Sequence, residues 1–118
     1  HGKIGLEPEK AVKELLRVLR PGGKFLISVV FGKRQLIEWN GTPFAEQFDS
    51  VLLLDLLKNF SSCQKAVTYF YKYTDKGWDV SSEEGCQDLE YFNIHAARSF
   101  DPDRAAAARA VALIEVIK

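Results

Sequence analysis

Few side chains in this chain have types and spacings that chemistry could use. Phe31, Lys33, Arg34 and Trp39 follow an apolar run, and Lys3 stands near the start. In an open sheet flanked by helices, substrate is expected at the carboxyl ends of the strands, so Val30-Phe31-Gly32-Lys33-Arg34 is the candidate substrate wall. The plainer account is that Lys33 and Arg34 are solvated charges and Trp39 is packing. Tyr69, Tyr71, Tyr73 and Trp78 could stack a planar substrate, but aromatics on one strand face beside a hairpin are more often core or interface. His95 is a general base only if substrate comes within hydrogen-bond reach, and no second His or Cys stands at ligand spacing from it. Glu83, Glu84 and Asp88 resemble paired carboxylates, yet they fall on a short helical stretch where a solvated face is expected. Ser61-Ser62-Cys63 and Ser81-Ser82 suit caps and turns, since no base is placed to activate a hydroxyl. Cys63 and Cys86 have neither a Cys-x-x-Cys partner nor a nearby His, so zinc spacing is absent; one disulfide is an alternative, but two buried free thiols of a cytosolic protein are expected. No set of residues is a catalytic site on its own evidence, and no metal is implied.

Composition narrows the partners. The 118 residues suffice for one domain or a piece of one, and 47% apolar content is ordinary for a globular core. Sixteen basic residues balance sixteen acidic ones, so no general pull toward nucleic acid or anionic lipid is expected. No apolar run approaches bilayer length, and the start does not read as a signal peptide. A cytoplasmic protein is expected. The chain opens His1-Gly2-Lys3 and contains no Met, which suggests a piece cut from a longer polypeptide.

The elements that must position these residues are legible in part. Residues 7–20 read as a helix: Pro8 suits its first position, Glu7 and Glu9 favour its positive end, and Val12, Leu15, Leu16 and Leu19 form one face. Pro21-Gly22-Gly23 stops it. Residues 24–31 then read as a strand with no polar face, which predicts cover on both sides, as in a parallel, helix-flanked sheet. Residues 35–47 are the least readable, beyond a turn at Asn40-Gly41-Thr42-Pro43. A helix over 49–60 starts at the N-cap Asp49, with Phe48 and Leu53 at staple spacing and Leu52, Leu53, Leu56, Leu57 and Phe60 on one face. Residues 65–73 read as a strand, turning at Thr74-Asp75-Lys76-Gly77 into a short partner at Trp78-Asp79-Val80. Ser81 and Glu84 have capping-box spacing for a short helix. At the end two patterns conflict. Asp101-Pro102-Asp103 starts a helix that Ala propensity would carry to Lys118, whereas 109–117 is rich in β-branched residues and suits a buried strand.

The run Glu14-Leu15-Leu16-Arg17-Val18-Leu19-Arg20-Pro21-Gly22-Gly23-Lys24-Phe25 resembles class I S-adenosylmethionine-dependent methyltransferases, at the helix, Pro-Gly-Gly turn and strand that open the C-terminal half of their Rossmann-like sheet. The resemblance spans nearly the whole chain, although only 14–29 is specific. It implies an α/β fold, a partial Rossmann-like sheet of strands 24–31, 65–73 and 109–117, with the last inserted antiparallel between the other two, covered by helices 7–20 and 49–60. It also resolves the final conflict in favour of one or two helical turns and then a strand.

The departure is as informative. The family holds its cofactor with a Gly-rich turn and an acidic residue in the front half of the sheet, and this chain contains no such turn. No cofactor-binding residue can be carried over. The resemblance therefore implies a C-terminal portion that supplies the substrate side of the sheet, with S-adenosylmethionine bound only in the intact enzyme, none by this chain alone, and a methyl acceptor of unspecified kind. A second reading is a non-catalytic α/β module that self-associates through an open sheet edge, because a half-sheet leaves strand 24–31 without a neighbour. The resemblance requires Phe25–Val30 to be sandwiched between layers, as an interior strand whose companions lie in further polypeptide, and a helix there or one wet side would sink the family assignment.

Overall fold

The computed structural model describes residues 8–39, 41–91 and 108–118. Helix α1 spans Pro8–Val18, and the Pro21-Gly22 turn, with Gly22 at a positive φ of 82°, leads into strand β1, Lys24–Val30. A hairpin follows, of β2 (Gln35–Trp39) and β3 (Thr42–Gln47). Helix α2 (Ser50–Leu57) runs into a 3-10 turn at Lys58–Phe60. Strands β4 (Lys65–Thr74) and β5 (Gly77–Ser81) form a second hairpin, α3 is a single turn at Glu83–Cys86, and β6 is Ala110–Ile117.

The main sheet has the order β1-β6-β4-β5. Strand β6 pairs antiparallel with both neighbours, Ile27 opposite Ile114 on one side and Thr68 opposite Ile114 on the other. Strands β1 and β4 therefore run parallel to each other with β6 reversed between them, the order that the resemblance implies for these three strands. The fold is mixed α/β, and every pairing within its two sheets is antiparallel, so the parallel, Rossmann-like sheet expected around residues 24–31 is not shown.

One face of the main sheet is the core. Ala110, Ala112, Ile114 and Val116 alternate along β6, all fully buried, against Phe25, Ile27 and Val29 of β1, Phe31 just beyond it, and Phe70 of β4. Val12 of α1, Leu53 and Leu56 of α2, and Phe60 close over them. Phe25 meets Phe60 and Phe31 meets Phe70 edge-on, with ring centroids 5.9 and 5.0 Å apart. The two small alanines let the aromatic rings of β1 and β4 approach over the middle strand. Asp49 caps α2 as expected, its carboxylate accepting from the Leu52 amide at 2.9 Å. The Lys118 ammonium donates to the free carbonyls of Leu16 and Leu19 and so finishes α1.

The opposite face overturns one expectation. Strand β1 is not covered on both sides: Lys24, Leu26 and Ser28 are exposed, Leu26 by 58%. Register places on this face Leu26 and Val30, Val111, Leu113 and Ile117, Val67, Tyr69 and Tyr71, and Trp78 and Val80. Tyr69 is 43%, Trp78 51% and Val80 76% exposed, and even the central strand is only half-buried here. Among the described residues both longer helices lie on the core side, so nothing supplies the second layer. A sheet with one wet face ordinarily alternates apolar with polar residues, and here the open face is mostly apolar, its charged and hydroxyl exceptions on β1, β6 and the start of β4 being Lys24, Ser28, Glu115 and Lys65.

Smaller corrections follow. Helix α1 ends at Val18 rather than 20, and Leu15, assigned above to its apolar face, is exposed. The cap of α3 is Ser82, which accepts from the Gly85 amide, one residue later than the Ser81 spacing suggested. Residues 35–47, unread in the sequence, form the second sheet, with a bulge that leaves Phe44 as the extra residue between Ile37–Ala45 and Glu38–Pro43. The expected helical turns at 101–108 lie almost wholly outside the described residues, as do Lys3 and His95.

Candidate functional site

The carboxyl end of β1 is a stitched junction. The Phe31 amide donates to the Ala110 carbonyl at 3.0 Å, continuing the β6 ladder, while Phe31 also forms a parallel bridge with Phe48 at the end of β3. On that outer side the Phe48 amide donates to Val30 O (2.8 Å) and the Gly32 amide to Phe48 O (2.9 Å). The chain after α3 closes in from the third direction, where the Lys33 amide donates to Leu89 O at 2.8 Å. Gly32 is required for this approach, because a Cβ there would stand 2.3 Å from Leu89 O and 2.8 Å from the Gln47 amide nitrogen.

Gln47 is the fully buried pin of the junction. Its Nε2 donates to Lys33 O at 2.8 Å and to Leu89 O at 3.1 Å, tying β3, the loop after β1 and the segment after α3 together. Its Oε1 is buried without a partner. Gln35 adds a tie by accepting from the Tyr91 amide at 3.3 Å. No pattern in the sequence marks Gln47, since a single amide at the end of a strand looks like any polar residue near a turn.

The structure scatters the expected substrate wall. Phe31 is fully buried in the core and lines no accessible surface. Lys33 and Arg34 are exposed, with Arg34 Nε 3.7 Å from Glu46 Oε2, a loose surface pair. Trp39 lies in β2, on the hairpin beyond the junction. The aromatic set is on the open sheet face, where Tyr73 and Trp78 meet edge-on at 5.5 Å. Glu83, Glu84 and Asp88 are exposed, as expected of a solvated face. Cys63 is half-buried and Cys86 fully buried, both as free thiols. Among the described residues no group of three His, Cys, Asp or Glu could hold a metal ion, and no helix is long and apolar enough to cross a membrane.

One charge cluster stands apart, on the open face. Glu115 of β6 lies between Lys24 of β1 (2.9 Å) and Lys65 of β4 (3.2 Å), bonding all three strands across their faces. The hydrogen bonds from Lys24 and then Lys65 hold the Glu115 carboxyl below the usual range, and Glu115 in turn raises the Lys24 ammonium. The cluster is a cross-strand clasp rather than an acid–base pair, because the shifts of Glu115 and Lys24 both favour their ordinary charged forms.

Comparison with protein-family models, with curated proteins and with solved structures finds no match to this chain.

Proposed function

We propose that this chain is the C-terminal portion of an S-adenosylmethionine-dependent methyltransferase, supplying one end of the sheet and part of the wall beside the methyl acceptor. The observation that carries this reading is the placement of β6, reversed between the parallel strands β1 and β4. The Pro-Gly-Gly turn feeding β1 supports it, as does a helix between β1 and β4 on the core face. The wet face of β1 weighs against it for these 118 residues by themselves. The reading meets that objection only if further polypeptide of the intact enzyme covers the face.

The residues present do not fit the cofactor. Gly32 offers close backbone approach at a strand end, but its space is filled by the Leu89 carbonyl and the Gln47 amide, leaving no cradle for a ligand. Among the described residues Glu46, the acidic side chain beside this loop, leans toward Arg34. In this reading the junction contributes rigidity, because it fixes the loop carrying Lys33 and Arg34 against β3, and alignment of reactants is what methyl transfer requires of a protein.

Titration calorimetry with S-adenosylmethionine tests the reading in two arms. The 118-residue chain is expected to show no binding, and an extended polypeptide carrying the upstream sequence of its gene is expected to bind and to transfer methyl groups. Micromolar binding by the short chain overturns the claim that the cofactor half lies elsewhere. An upstream sequence without a strand and Gly-rich turn overturns the family assignment.

A further inference from the structure

The two edges of the main sheet are treated differently. At the β5 edge the amide of Val80 points away from β4, and the Asp79 carboxylate accepts from it at 2.9 Å. That edge is blunted by its own charged side chain, a usual protection against pairing with other chains.

Among the described residues the β1 edge has no such device. Phe31 bonds Ala110 across the ladder, so by the alternation of an antiparallel pair Phe25, Ile27 and Val29 also face β6, and Lys24, Leu26 and Ser28 turn their N–H and C=O groups outward. The Val30 carbonyl, next in that outward series, is taken by Phe48, which shows that this edge accepts a strand partner. Among the described residues no side chain caps the other three, and the strand holds no Pro and no bulge. Its Lys does not guard the edge either, because the Lys24 ammonium is drawn across the sheet to Glu115.

We propose that in the 118-residue chain a second copy occupies this edge, β1 pairing antiparallel with β1 about a two-fold axis at Leu26. This inference does not rest on the methyltransferase reading. A two-fold interface must be complementary to itself, and β1 meets that condition on both faces. Lys24 falls opposite Ser28 of the second copy, so no like charges meet. Leu26 falls opposite Leu26 on the open face, and Phe25 opposite Ile27 on the core face. The pairing joins two four-stranded sheets into one and brings the exposed Leu26 side chains together.

Light scattering coupled to size exclusion, with hydrogen exchange read residue by residue, tests the proposal. The chain is expected to have the mass of a dimer, with the amides of Leu26 and Ser28 protected. Ser28→Pro removes an outward N–H while leaving the bonds to β6, and Leu26→Lys sets two ammonium groups against each other across the axis. Both are expected to give the monomer mass, to keep a cooperative thermal transition, and to show rapid exchange of the amide at position 26. If Ser28→Pro unfolds, Leu26→Lys, on an exposed side chain, carries the test alone. A monomeric parent chain overturns the proposal. So does a dimer that survives Leu26→Lys but is split by Tyr69→Lys, which would show sheets stacked face to face.

Discussion

Replacing Gln47 probes the junction behind the β1 loop, and the structure sets the sign and size of the effect. Gln47→Leu keeps the apolar volume and deletes two donated hydrogen bonds, to Lys33 O and Leu89 O. Leu89 O still accepts from the Lys33 amide, so one carbonyl rather than two loses this support. Removing Oε1, which has no partner, offsets part of the loss. The expected destabilisation is about 1–3 kcal/mol, a fall in Tm of roughly 4–8 °C per kcal/mol for a domain near this size. Gln47→Glu is the sharper variant. A carboxylate cannot donate to either carbonyl and would be buried among acceptors, an uncompensated charge costing about 3–5 kcal/mol. Its pKa must therefore rise in the folded state, so stability is lost above the folded pKa and recovered as pH falls through it. Urea melts from neutral to mildly acidic pH should show Gln47→Glu well below Gln47→Leu at neutral pH, with the gap narrowing on acidification. Equal stability of the two variants at neutral pH, or a Gln47→Leu protein as stable as the parent, would refute the reasoning.

Other consequences are as direct. Ile114→Ala empties a fully buried position where β1, β6 and β4 meet and should cost about 2–5 kcal/mol in a urea melt. Asp49→Ala removes the cap of α2 and should cost about 1 kcal/mol, while Asp49→Ser should recover most of it. Glu115 has a lowered carboxyl pKa, so its clasp stabilises above the unfolded carboxylate pKa and is lost as pH falls through the folded value. Lys24 is raised, so its share is present below the ordinary lysine pKa and is lost as pH rises through the folded value. Glu115→Gln should flatten both limbs of the stability–pH curve.

Much of this fold is legible in local chemistry. Asp49 announces α2, Pro21-Gly22 ends α1, and Thr74-Asp75-Lys76-Gly77 makes the β4–β5 turn. Strand β6 is harder, because Ala-rich propensity points to a helix. Its alternation of buried Ala110, Ala112, Ile114 and Val116 wins because only a strand can set all four between β1 and β4. The β2–β3 hairpin is hidden by its own irregularity. The Phe44 bulge breaks the period of two, and Pro43 within β3 argues against a strand until the sheet is seen to be two-stranded and all edge. Phe31, named with the candidate substrate wall, lies in the core, and its type does not distinguish a core ring from a lining one. Gln47 was invisible because its partners, Lys33 and Leu89, are backbone carbonyls distant in sequence. The wet face of β1 could not be foreseen from β1, since cover depends on layers contributed by other segments.

Both the methyltransferase reading and the open edge rest on β6 lying reversed between β1 and β4. Nuclear Overhauser contacts between α-protons test this directly. The structure predicts contacts Leu26–Glu115 and Ser28–Leu113 on one side of β6, and Thr68–Ile114 and Phe70–Ala112 on the other. Sequential amide–amide contacts running through Ala110–Ile117, or α-proton contacts joining β1 directly to β4, would contradict it.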